Sequence, residues 1–197
     1  MLVSGAKLIN TPIMSMQTGA PVGFISAPII DPDSLKIIAF RLTGPTLTNA
    51  NIVPVNSIRE YSSLGMIIDG AEELVAPGDV VKIDEVIALN FLLTGLKVET
   101  KKGSKLGRIE DYTLTIEDYV IQQLIVKRPA LKAFIDPELV ISRQEVVEVT
   151  DDKVVVKDEE KVLKSRAEKE DFIPNFVNPF REKQPGFAPT DIKDSNR

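Results

Sequence analysis

The sequence predicts an all-β protein: two tandem copies of a small, partly open antiparallel barrel, joined by a short helix and followed by a charged, partly disordered tail. Three observations predict it. A pair of glycines recurs at fixed spacing, Gly19 and Gly23 returning as Gly103 and Gly107, each 84 positions later. Runs rich in Val and Ile follow each pair and are bounded by turn residues at intervals of about 8–12, the rhythm of a barrel or sandwich rather than of alternating strands and helices. The β-rich composition then ends abruptly after Lys157.

The first copy takes residues 1–78. Thr18-Gly19-Ala20-Pro21-Val22-Gly23-Phe24-Ile25 opens it. Gly19 is placed where a hairpin turn needs positive φ without steric cost, and Gly23 inside the following strand, where a missing side chain marks a bulge or sharp bend. Asp31-Pro32-Asp33-Ser34 reads as a turn, because proline presets φ and the aspartates bond nearby amides. The run 36–42 and the block from Ile52 to Tyr61 complete the copy. Residues 79–93 form the connection. Ala76-Pro77-Gly78-Asp79 breaks the chain, and Ile83, Val86, Ile87 and Leu89 then follow near helical spacing, with Asp79 as the expected N-cap.

The second copy takes residues 94–157. Lys102-Gly103-Ser104-Lys105-Leu106-Gly107-Arg108-Ile109 repeats the glycine block, Thr115-Ile116-Glu117-Asp118 stands at the acidic turn, and residues 119–126 supply the matching strand. The block Val140 to Val149 matches Ile52 to Tyr61 at a spacing of 88, so four residues are inserted in the preceding loop. Residues 158–197 form the tail: a stretch of interleaved opposite charges at helical spacing, then Phe172-Ile173-Pro174-Asn175-Phe176-Val177-Asn178-Pro179-Phe180, then an end with little to bury.

The order of turn glycine, Val or Leu, Gly, Ile, acidic turn, Ile/Val-rich strand and Ile52-Val53-Pro54-Val55-Asn56-Ser57-Ile58 resembles the PRC-barrel domain. The likeness covers about Leu8 to Asp69 and again about Leu96 to Val156, the second copy having Ile141-Ser142 where the first has Val53-Pro54. The resemblance implies a small open barrel used for docking and assembly, and it carries over no active-site residues.

Composition narrows the chemistry. Cys and His are both absent, which removes thiol nucleophiles, sulfur ligands, the commonest acid–base group near neutrality and the commonest metal ligand. The expectation is a non-catalytic protein with no cofactor and no metal. A net charge of −5 weighs against a nucleic-acid surface, since that affinity rests on Lys and Arg displacing counterions. No apolar run reaches the roughly 20 residues of a membrane span, and the first residues lack a secretory pattern, so the expected location is the cytoplasm. The expected role is a protein-interaction or assembly scaffold, with an RNA- or ribosome-associated factor as the alternative.

Several segments are candidates for that role. Asp31 and Asp33 form a carboxylate pair, but with no further ligand at calcium-loop spacing they read as a turn. Lys97, Lys101, Lys102, Lys105 and Arg108 form a basic stretch with acids interspersed and no aromatic platform, which reads as a solvated strand face. The loop from Lys127 to Phe134 joins charge to an apolar tip, so Leu131 and Phe134 either meet a partner or close the barrel mouth. Phe172, Phe176 and Phe180 recur every four residues outside both copies. They fold back onto a barrel, bind another protein, or pair with a second copy in a homo-oligomer; folding back is placed first.

Overall fold

The structure, a computed structural model, describes residues 1–129 and 138–158. Leu131, Phe134, Phe172, Phe176 and Phe180 lie outside the described residues. The chain forms β1 (Leu2–Ser4), α1 (Gly5–Leu8), β2 (Pro12–Ser15), β3 (Pro21–Asp31), β4 (Lys36–Thr43), β5 (Ile52–Pro54), β6 (Glu60–Ser62) and β7 (Gly65–Ile68). Then come α2 (Val81–Ala88), β8 (Lys97–Thr100), β9 (Lys105–Thr115), β10 (Ile121–Lys127), β11 (Glu138–Ser142), β12 (Val146–Val149) and β13 (Lys153–Val156). The protein is mostly β-sheet, in two sheets. One runs β5-β4-β3-β2-β7-β6; the other runs β11-β10-β9-β8-β13-β12, with β1 added against β9.

The repeat read from the glycines holds residue by residue in the strand registers. Phe24 faces Thr43, Ile25 faces Leu42 and Phe40 faces Pro28. Each pair recurs 84 positions on, as Arg108 with Lys127, Ile109 with Val126 and Leu124 with Tyr112. Beyond the inserted loop the offset becomes 88, since Phe40 pairs Val53 and Leu124 pairs Ile141. Both strand glycines sit at bulges. Ile13 faces Gly23 but Met14 faces Pro21, leaving Val22 over; Val98 faces Gly107 but Glu99 faces Lys105, leaving Leu106 over. Gly19 and Gly103 take positive φ of 67° and 81°, as their hairpin turns require. The acidic turns match too, with donor and acceptor exchanged. Ser34 Oγ donates to Asp31 Oδ2 at 2.7 Å, while Thr115 Oγ1 donates to Asp118 at the same two positions.

Connectivity forces each sheet to curl. A flat six-stranded sheet would hold its outer strands about 24 Å apart at about 4.8 Å per strand. The outer strands β11 and β12 are joined only by the 3-10 turn Arg143–Glu145, which advances about 2 Å per residue. The edges therefore lie close, and the turn Val55–Ser57 draws β5 and β6 together in the same way. These turns also correct the expectation of wholly antiparallel barrels. β2 runs parallel to β7 and β8 parallel to β13, because the 3-10 turn carries the chain from one edge to the other without reversing it.

The connecting helix forms as α2, with Ile83 buried, but Leu89 stays exposed and Asp79 is not its cap. Val80 holds the N-cap position without a side-chain bond. Asp79 closes the preceding turn instead, accepting from Ala76 N at 2.7 Å, and Asp84 reaches back to Gly78 N at 3.0 Å. Eight residues are too few to hold a helix in water by themselves. α2 stands because Ile83, helped by Val86 and Ile87, packs on Ile29, Ala39 and Ile52 of the first half; full burial of one such side chain is worth about 1.5–3 kcal/mol.

The halves interlock. β1, at the start of the first half, pairs with β9 of the second, and Asp111 accepts from Ser4 Oγ at 2.5 Å and from Ala6 N at 3.1 Å. α2, which precedes the second half, covers the first. Between them runs a local twofold relation. Lys36 faces Val120, its own equivalent; Ile37 N donates to Tyr119 O at 3.0 Å and Ile121 N donates to Leu35 O at 2.9 Å. Phe40 and Tyr119 meet edge to face across this seam with centroids 5.9 Å apart, and one buried cluster draws side chains from both halves.

Candidate functional site

A groove opens where β8, β9 and β10 of the second half meet at the bulge, with a volume of about 460 Å³. Register builds it. Lys97 on β8 is paired with Arg108 on β9, and Arg108 with Lys127 on β10, so three cations lie in one row across three adjacent strands. All three side chains are exposed. Lys105 lies across the bulge from Glu99, and Arg128 and Pro129 continue the wall beyond β10. Gly107, Pro129 and the lysine stems give the groove its apolar lining.

Some of the charge is answered within the chain. Lys127 pairs with Glu110 at 3.2 Å and Lys153 with Glu99 at 3.4 Å, while Arg108 Nη1 donates to the Gly95 carbonyl at 2.8 Å. Among the described residues, Lys97 and Lys105 have no ion-pair partner. The groove is thus basic on an otherwise acidic chain.

The first half has the same backbone without the charge. Pro12, Phe24 and Thr43 occupy the row that Lys97, Arg108 and Lys127 occupy in the second half. There the space beside the bulge is taken by Leu47, whose Cδ1 lies 3.1 Å from where a Cβ on Gly23 would stand. The offset of 84 puts Leu131 at the place of Leu47, but Leu131 is outside the described residues.

The sequence-predicted candidates separate accordingly. Lys97, Lys105 and Arg108 of the basic stretch do line one groove, whereas Lys101 and Lys102 sit on the turn beyond β8, where Lys102 pairs with Asp158 at 3.5 Å. Lys127, read as the start of a loop, is the last residue of β10 and completes the row. Nothing in composition brings it to Arg108; the strand pairing does. Asp31 is spent on its turn, accepting from Asp33 N at 3.1 Å and from Ser34 Oγ.

Two further grooves, of about 440 and 460 Å³, flank the local twofold, each lined by the 3-10 turn of one half and the hairpin turn of the other. Tyr112 and Tyr119 sit at the seam, and burial pushes both phenols up, that of Tyr119 to about 12. Among the described residues no three acidic groups gather as a metal site would require, and no helix is long and apolar enough to cross a membrane. Fold and groove together define a mostly β-sheet protein of two sheets with a basic groove on the second. No protein-family model matches the chain, and no curated protein matches it either.

Proposed function

We propose that the chain is a non-catalytic, cytoplasmic assembly module made of two PRC-barrel-like halves, and that it acts by docking a protein partner on the groove of the second half. One observation carries this reading. The same backbone row is neutral in the first half, as Pro12, Phe24 and Thr43, yet cationic in the second, as Lys97, Arg108 and Lys127. The charges are therefore not a requirement of the fold. Directly opposed like charges on neighbouring strands destabilise a sheet, so a row of three is a cost that a ligand's opposite charge would offset. The glycine bulges, the curl closed by a 3-10 turn and the repeated register support the PRC-barrel likeness. Docking modules of this kind need a rigid frame, which the interlocked halves supply.

The test is site-specific photo-crosslinking in extract of the native cell, with the crosslinker placed at Lys105 and, as control, at Pro21, its first-half counterpart. Nuclease-resistant attachment to one protein from Lys105 and none from Pro21 is the expected result. Attachment to RNA from Lys105 would instead favour a ribosome- or RNA-associated factor.

A further inference from the structure

We propose that the ligand of the second-half groove is an extended peptide segment of another protein carrying carboxylates about three residues apart around an apolar side chain. The proposal rests on the docking reading above and names the ligand that reading leaves open.

Charge complementarity comes first. Lys97, Arg108 and Lys127 are directly cross-strand from one another, and the acids beside them answer only part of their charge. An anion is what the row lacks. Spacing comes second. The outer two strands of three lie about 9.6 Å apart, and a peptide in the extended polyproline II form turns once every three residues and advances about 3.1 Å per residue, so acids at positions i and i+3 share one face and reach Lys97 and Lys127 together. The surface between them comes third. Pro129 and the aliphatic stems of Lys97, Arg108 and Lys127 offer apolar contact beside Gly107. Such a surface rewards an aliphatic or aromatic side chain between the two acids.

Nucleic acid fits less well. Among the described residues no aromatic ring lines the groove to give bases a stacking platform, and the first half places a phenylalanine, Phe24, where the second has Arg108. The chain's net charge of −5 also opposes a polyanion beyond this one patch.

The full chain should be titrated by fluorescence anisotropy against three labelled probes at low salt. The first is a short peptide with two Asp three positions apart around a Leu, the second is the same peptide with Asn for Asp, and the third is a single-stranded oligouridine of similar length. The expected result is binding of the Asp peptide, weakened at least about tenfold by Asn. The graft R108F/K127T, which installs residues that the first half already carries at this register, should weaken it as much, and Lys82→Ala on α2 should not. If the graft disturbs folding, K97Q/K127Q keeps the stems and should give the same loss. Equal binding of the Asn peptide overturns the carboxylate assignment but leaves the docking reading intact. Tighter binding of oligouridine, lost in the same variants, overturns both. Binding that neither variant weakens places the ligand elsewhere, and no binding of any probe means that the chain itself covers the groove; either result removes the proposal.

Discussion

Gly23 and Gly107 occupy the same bulge in the two halves, yet a methyl group would meet different surroundings at each. Gly107 has φ of 150°, and a Cβ there would stand 2.0 Å from the Lys127 carbonyl oxygen, which is backbone and cannot step aside. At Gly23 the nearest atom is the tip of Leu47 at 3.1 Å, which can. Gly107→Ala should therefore cost about 1–3 kcal/mol from backbone strain alone, with the collision added, and Gly23→Ala less than half as much; urea denaturation of the two variants checks the ordering. Tyr119 makes a second prediction at this scale. Its phenol is buried at the seam and its folded value is raised to about 12, against about 10 in an unfolded chain. A raised folded value means that the tyrosine's contribution is complete below the unfolded value and is lost as pH climbs through the folded one. Stability should fall between about pH 10 and 12, and Y119F should flatten that fall, as read from melting curves across the alkaline range. Tyr112, raised further by burial and by the nearby Asp111 charge, adds to the same slope.

At the level of elements, what was legible in the sequence is what local chemistry fixes. Gly19 and Gly103 mark turns, Gly23 and Gly107 mark bulges, and the slip from 84 to 88 between matched blocks places the insertion between β10 and β11. Long-range pairing was not legible. Nothing local says that β7 runs parallel to β2, because that direction follows from a 3-10 turn that fails to reverse the chain. Nor does the sequence around Leu2 show that β1 belongs on β9 of the other half, since three residues carry no address. The cation row was half visible. Lys97, Lys105 and Arg108 stood out as a basic stretch, but Lys127 joins them only through the β9–β10 register. The β1–β9 contact is itself open to test. Asp111 is the one carboxylate that holds both Ser4 Oγ and Ala6 N among the described bonds. Asp111→Ala should cost about 1.5–3 kcal/mol, the range for hydrogen bonds to a charged group. Hydrogen exchange should then show faster labelling at Leu2 to Leu8 while β4 keeps its protection, a pattern that a general loss of stability would not give.

For the whole molecule, the interleaving decides how it comes apart. Each half is covered by the segment that leads into the other: β1 and α1 lie on β9 and Tyr112, and α2 lies on β3 and β4. Gly5 is tied to this arrangement, since a Cβ there would fall 2.4 Å from the Tyr112 ring. Separating the halves would expose Phe40 and Tyr119, leave Ile37 N and Ile121 N without their acceptors at the local twofold, and strip both covering segments at once. Those losses arrive together, so neither half can open first without bearing nearly the whole cost. The expected behaviour is a single transition, with calorimetric and van't Hoff enthalpies equal, where two independent barrels would show two overlapping steps. A break in the chain sharpens the distinction. Fragments 1–78 and 79–197 produced together should elute as one species of the intact size and melt once, because the contacts that join them do not run through the turn at Pro77 and Gly78. Produced separately, each lacks the segment that covers it and should show poor amide protection throughout. Two fragments that fold alone, each with its own sharp melt, would mean that the seam is a contact between finished barrels and not part of what makes them.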